Sequence, residues 1–140
     1  MFIPYVMGGF PDLVASTRYA QALAAHADII ELGVPFSDPL ADGPTIQAAG
    51  QRALDAGTTP DDVLRIAAEL RGGPPVVVMT YLNIVLAPGA RVFLERAAAA
   101  GVAGIVIPDL PIDESDEILS DADKVGVALI PFAAPTSSDD

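Results

Sequence analysis

The sequence contains no cysteine, which excludes disulfide bridges, zinc–thiolate sites and catalysis by a thiol. That absence also suits a cytosolic chain, where disulfides are rare. Histidine occurs once, as His26. Basic residues are few: seven Lys and Arg stand against nineteen Asp and Glu, for a net charge of −12. A surface of that sign repels nucleic acid and anionic membrane, so neither is expected as a partner. It does not exclude an anionic substrate, because backbone amides at helix starts bind phosphate without Lys or Arg. No apolar run reaches the roughly 18 residues of a membrane span, and the longest weakly polar stretch, Ala97 to Asp109, is broken by glycines and a proline. Met1-Phe2-Ile3-Pro4-Tyr5 lacks the basic region and small-residue cleavage site of a secretion signal. The expected location is cytoplasmic.

What the chain does have is apolar material: 51% of its 140 residues are hydrophobic, enough for one domain with a core and too much for a disordered chain. Short apolar runs alternate with helical patterns. Strands are expected over Phe2 to Val6, Asp28 to Leu32, Pro75 to Thr80 (with Val76-Val77-Val78), Gly104 to Ile107 and Val127 to Phe132. Helices are expected over Asp12 to Ala25, Thr45 to Ala56, Thr59 to about Arg71, Arg91 to Ala100 and Asp113 to about Val125. Thr59-Pro60-Asp61-Asp62 is a helix start, with a capping Thr, Pro at the first position and two acids that suit the dipole. The last residues, Ala133 to Asp140, read as a polar loop.

Alternating strands and helices, with strands apolar throughout, predict a parallel sheet covered by helices. Two architectures satisfy this. A doubly wound five-stranded sheet is complete in a chain of this length. A (β/α)₈ barrel needs about 250 residues and would be present only in part. Either fold puts its ligand at the C-terminal ends of the strands. Those ends read Met7-Gly8-Gly9-Phe10-Pro11, Glu31 to Pro44, Thr80-Tyr81-Leu82-Asn83 and Pro108-Asp109-Leu110-Pro111.

Glu31 lies inside an apolar strand, between Ile30 and Leu32. A carboxylate there either finds a cationic partner or shifts its pKa upward, and a raised carboxyl at a strand top is a general acid/base candidate. Asp42 lies in a loop with Pro35, Pro39 and Gly43-Pro44. That loop could return a second carboxylate to the first, dividing acid and base roles; alternatively, Asp42 is a turn residue or caps the following helix. Asp38, before Pro39, reads as a turn former. The loop does not match a calcium-binding pattern. Tyr5 and Tyr81 read as core aromatics or as pocket walls. His26 falls at the opposite end of the strands from these residues, which makes a histidine-dependent triad improbable.

The run Glu31-Leu32-Gly33-Val34-Pro35-Phe36-Ser37-Asp38-Pro39-Leu40-Ala41-Asp42-Gly43-Pro44-Thr45-Ile46-Gln47 resembles the signature of the tryptophan synthase α chain family. Ile3-Pro4-Tyr5-Val6 with Gly9-Phe10-Pro11, Met79-Thr80-Tyr81-Leu82-Asn83, and Pro108-Asp109-Leu110-Pro111 with Glu114-Ser115 are similar to that family's first, third and fourth strand ends. The resemblance implies a (β/α)₈ barrel, represented here as a single domain over residues 1–140 holding strands 1–5 and truncated after the fifth. It implies a lyase of tryptophan biosynthesis that splits indole-3-glycerol phosphate, by a retro-aldol step, to indole and glyceraldehyde 3-phosphate. Glu31 matches the family's acid/base at the indole C3 and the glycerol hydroxyl. Asp42 matches the carboxylate that stabilises positive charge at the indole nitrogen. Tyr5 and Tyr81 match substrate-binding positions of the indole pocket, and the loop from Pro35 to Pro44 matches a mobile segment that contacts the β subunit. The implied partner is the tryptophan synthase β chain, in an α₂β₂ tetramer for the full-length protein. Pyridoxal phosphate belongs to that β subunit, so no cofactor and no metal are expected on this chain.

The chain also departs from the family pattern. A preceding short helix is missing. Ala25-His26-Ala27-Asp28 stands where the family commonly has Ala-Gly-Ala-Asp, so His26 is expected to carry strain at a left-handed helix end. The phosphate-binding loops of such barrels follow strands seven and eight. Without them the 140-residue segment is expected to be poorly active alone, with first and fifth strands exposing edges that invite association. The competing reading is a non-catalytic, receiver-like doubly wound module. It requires acids after the first strand, Asp after the third and Lys after the fifth, where this chain has Met7-Gly8-Gly9, Thr80-Tyr81 and Phe132-Ala133. Another phosphate-binding barrel enzyme of amino-acid biosynthesis is a third reading, and the Glu31-to-Gln47 match argues against it.

Overall fold

Each of the five apolar runs forms a strand. The computed structural model describes residues 1–132, and the expected polar loop over Ala133 to Asp140 lies outside them. The strands are β1 (Tyr5–Met7), β2 (Ile30–Gly33), β3 (Val76–Met79), β4 (Val102–Val106) and β5 (Ala128–Ile130). Between them run α1 (Leu13–Ala24), α2 (Pro44–Asp55), α3 (Pro60–Glu69), α4 (Leu82–Leu86), α5 (Ala90–Ala99) and α6 (Asp116–Val125). No helix among them is long and apolar enough to cross a membrane.

All neighbouring strands pair in parallel, and their order in the sheet is β1-β2-β3-β4-β5. This order decides between the two architectures. A doubly wound sheet must reverse direction at a switch point, and that reversal puts helices on both faces. Here the chain always moves the same way, and right-handed crossovers then put every connecting helix on one face. Burial follows suit. Val6, Leu32, Val78 and Ile105 lie in one register row and are buried in a single core with Val63, Phe93, Leu94 and Ile118 of the helices. The alternate row, Tyr5, Glu31, Val77, Gly104 and Ala128, turns to the other face, where Ala128 is exposed and Tyr5, Glu31 and Val77 are half-buried. The result is a five-stranded partial (β/α) barrel, and the doubly wound receiver-like reading is overturned.

The helix starts follow local chemistry. Thr59 and Asp62 form a reciprocal capping box on α3: the Asp62 amide donates to Thr59 Oγ1 (3.3 Å) and the Thr59 amide donates to Asp62 Oδ2 (2.8 Å). Asp12 Oδ1 accepts from the Ala15 amide (2.8 Å) to cap α1. Gly126, at φ 74°, ends α6 in the left-handed region.

Three expectations are corrected. The segment expected as one helix from Asp113 is a 3₁₀ turn (Ile112–Glu114) followed by α6. Ser115 Oγ donates to the Ile112 carbonyl (2.7 Å), a local bond that competes with helix continuation. Helix α4, not expected at all, is too short to show a helical period. His26 is not strained: among the described residues no non-glycine has a positive φ, and α1 ends with right-handed Ala25 (φ −65°). The amides of both His26 and Ala27 donate to the Leu23 carbonyl (2.9 Å each), so the turn closes without a left-handed residue.

Two stability changes follow. Leu32 has no exposed surface, and Leu32→Ala is expected to cost about 2–5 kcal/mol, read as a lower urea midpoint at unchanged slope. Thr59→Ala removes the cap of α3 and is expected to cost about 1 kcal/mol in the same titration.

Candidate active site

Glu31 owes its direction to its neighbours. Ile30 and Leu32 are fully buried against the helices, so the period of two along β2 turns Glu31 to the opposite face. There it sits in register between Tyr5 of β1 and Val77 of β3. Among the described residues its side chain makes neither an ion pair nor a hydrogen bond, so the paired alternative is not realised there. Burial raises the pKa of Glu31 above the ordinary glutamate value, and the negative charge of Asp42 raises it further.

Asp42 arrives from the loop after β2. The Gln47 side-chain amide ties this loop down by donating to the Asp42 carbonyl (2.9 Å) and to the Pro39 carbonyl (3.4 Å). The Asp42 amide itself donates to the Pro39 carbonyl (3.2 Å). Asp42 does not cap the helix that follows: Gly43 holds the cap position of α2, with no side-chain cap bond. Instead Asp42 Oδ2 accepts from the Tyr81 hydroxyl (3.1 Å). Burial raises the Asp42 pKa, and the Tyr81 hydrogen bond offsets part of that rise.

The two tyrosines complete the cluster. The ring of Tyr5 lies directly over Gly33, where any β-carbon would collide with its hydroxyl. A side chain at Gly33 would force the Tyr5 ring out of this position. Burial pushes the Tyr5 phenol well above its usual range, with the charges of Asp42 and Glu31 adding to the effect. Tyr81 is buried and stacks on Phe36, with ring centroids 4.9 Å apart and planes 23° apart. Its oxygen also accepts from the Ala41 amide (3.1 Å). Its pKa is pushed up to about 12, chiefly by burial. Both phenols therefore stay protonated at neutral pH: the Tyr81 hydroxyl donates to Asp42, and the Tyr5 hydroxyl donates to Met7 Sδ (4.0 Å).

The structure thus brings Glu31, Asp42, Tyr5 and Tyr81 together. It leaves Asp38 exposed, accepting from Ser37 Oγ (2.6 Å), and His26 exposed ahead of β2. Among the described residues no group of three His, Asp or Glu could hold a metal ion. Three contributors were not singled out from sequence: Phe36, Gln47 and Asp109. The last, in Pro108-Asp109-Leu110-Pro111 after β4, accepts from the Leu82 amide at Oδ1 (2.8 Å). Its place at a strand end was legible, but its partner, far away in the chain, was not.

Chemically, the arrangement offers two carboxyl groups of raised pKa on the open side of a parallel sheet, each near a protonated phenol. It can exchange a proton at one point of a bound molecule while stabilising positive charge at another.

Comparison with known proteins gives a consistent result. The tryptophan synthase alpha chain family matches residues 1–140. The tryptophan synthase alpha chain of Carboxydothermus hydrogenoformans is 53% identical over 138 residues, covering 96% of this chain and 52% of that protein. The Synechocystis alpha chain is 49% identical, covering 97% of this chain and 53% of the relative. Among solved structures, the tryptophan synthase α-subunit of Pyrococcus furiosus superposes with a TM-score of 0.94 at 41% identity, covering 99% of this chain and 57% of that one. Tryptophan synthase from M. tuberculosis gives 0.94 at 40% identity, with 98% and 56% covered. The chain spans about half the length of the curated relatives it matches. On this match along its whole length, and on a fold shared with solved members, the chain belongs to the tryptophan synthase alpha chain family.

Proposed function

We propose that this chain carries the acid/base part of a lyase site that splits indole-3-glycerol phosphate into indole and glyceraldehyde 3-phosphate, as the α subunit of tryptophan synthase. The observation that carries the reading is the meeting of Glu31 and Asp42: two carboxyl groups from different elements, both with pKa values raised by burial.

Glu31, protonated, gives its proton to the indole C3, and the ring becomes an electron-poor indolenine cation. Asp42 accepts a hydrogen bond from the ring N–H and offsets the positive charge there. The Glu31 carboxylate then takes the proton of the glycerol hydroxyl next to C3. The oxygen's electrons form the aldehyde carbonyl, the C3–glycerol bond breaks, and its electron pair restores the aromatic indole. A raised pKa suits a group that must both give and take a proton near neutral pH. Tyr5 and Tyr81 form walls for the flat indole ring, with Phe36 backing Tyr81. The step requires no cofactor on this chain. Pyridoxal phosphate chemistry belongs to a β chain, which the loop from Pro35 to Pro44 would contact. A cytoplasmic location follows from the same assignment.

In a chain completed to the length of its relatives, Glu31→Gln is expected to lower indole release by about 10²–10⁴-fold while substrate binding stays measurable by calorimetry. An active Glu31→Gln enzyme overturns the assignment. The same substitution is expected to change the pH dependence of stability. The Glu31 pKa is raised in the folded state, so as pH rises the unfolded chain loses this proton first. Stability therefore falls from the ordinary carboxylate range up through the raised folded value, then stays reduced. Glu31→Gln lacks this loss and is expected to unfold at higher urea than the unsubstituted chain at pH 7, with the gap closing toward pH 4.

A further inference from the structure

The Tyr81 hydroxyl holds Asp42, but Tyr81 stands at the start of α4, a helix of only five residues. A helix that short is not self-supporting, so its position depends on what anchors it. Val85 anchors its middle in the core. Its first amide, that of Leu82, donates to Asp109 Oδ1 (2.8 Å). Tyr81 itself offers no side-chain cap, and its side chain is turned to Asp42 and the Ala41 amide. Asp109 therefore does from the top of β4 what a local cap does elsewhere. The Leu82 amide is its partner, and no described cation pairs with it. Its negative charge also helps keep the Tyr81 phenol protonated.

We propose that Asp109 is a positioning residue for the reaction: by fixing the Leu82 amide it sets where the Tyr81 hydroxyl stands, and through that hydroxyl it holds Asp42 in place. The proposal rests on the lyase reading above. It joins three loops in one chain of hydrogen bonds, from the end of β4 through the start of α4 to the loop after β2.

The test measures indole release by chains completed to the length of their relatives. Asp109→Ala is expected to lower kcat about tenfold, with KM changed far less, because a small displacement of a group that acts in the transition state is expensive in rate. Asp109→Asn, whose side-chain oxygen still accepts the amide, is expected to recover most of the rate. The double variant Asp109→Ala with Tyr81→Phe is expected to be no slower than Tyr81→Phe alone, since both break the same chain. Leu82→Pro removes the donor instead of the acceptor. Proline suits a first helical position, and Tyr81, at φ −96° and ψ 152°, already has the backbone that a following proline demands. This variant is expected to show the Asp109→Ala loss, and it tests the idea even if Asp109→Ala does not fold. A full rate in Asp109→Ala or Leu82→Pro, no recovery in Asp109→Asn, or additive losses in the double variant each overturns the proposal and leaves the lyase reading standing. Absence of indole release by the unsubstituted chain overturns both.

Discussion

Side chains along a strand alternate between two faces, and in this protein one of those faces is sealed. Ile30 and Leu32 have no exposed surface because α-helices cover them. A shift of β2 by one residue would turn both into the open face and drive Glu31 into the helix layer. That costs the burial of two large aliphatic side chains and adds a charge in an apolar core. The packing that fixes the register therefore also fixes the direction of the acid. Tyr5 and Val77 lie in the same row as Glu31 for the same reason. The core does not merely support the site; it decides which face the site occupies.

Once the carboxyl groups are on that face, burial supplies the electrostatics. Loss of water raises the pKa of Glu31 and of Asp42 and is the first cause in each case. The phenols respond in the same direction and remain donors. One hydrogen bond works against the trend: the Tyr81 hydroxyl favours the charged form of Asp42. Two acids of similar kind thereby acquire different settings. Burial and the charge of Asp42 both favour the protonated form of Glu31, whereas on Asp42 the Tyr81 donor offsets part of what burial does. Such a difference in surroundings suits the proposed acid/base roles.

Much of this was legible in the sequence. Strand and helix alternation, the cap at Thr59, and the choice of Glu31, Asp42, Tyr5 and Tyr81 all come from patterns within a few residues, or from a long family signature. What was not legible depends on distant partners. Helix α4 lacks a period because it is barely more than one turn, and its first amide is satisfied by Asp109, which no local rule connects to Leu82. The break before Asp116 depends on a bond from Ser115 to Ile112 that competes with the helix. The strain expected at His26 is absent because the Leu23 carbonyl accepts two successive amides. Sequence length pointed toward a doubly wound sheet, and only the strand order, a three-dimensional fact, removed that option.

That strand order also bears on how the molecule is assembled. Among the described strands each neighbour in space is the neighbour in the chain, so none of these pairings waits for a distant segment. Sheets of parallel strands are usually slow to form, because long loops must close before any contact rewards them. Here every closure spans a single connection between consecutive strands, although those from β2 to β3 and from β3 to β4 each carry two helices. A ribosome delivering this chain from its N-terminus supplies the strands in the order in which they pair, each new unit docking on an edge already in place. The acid-bearing strand β2 is the second to arrive, and β3 and β4, which bring Tyr81 and Asp109, follow in turn. The site is thus laid down progressively along the growing sheet.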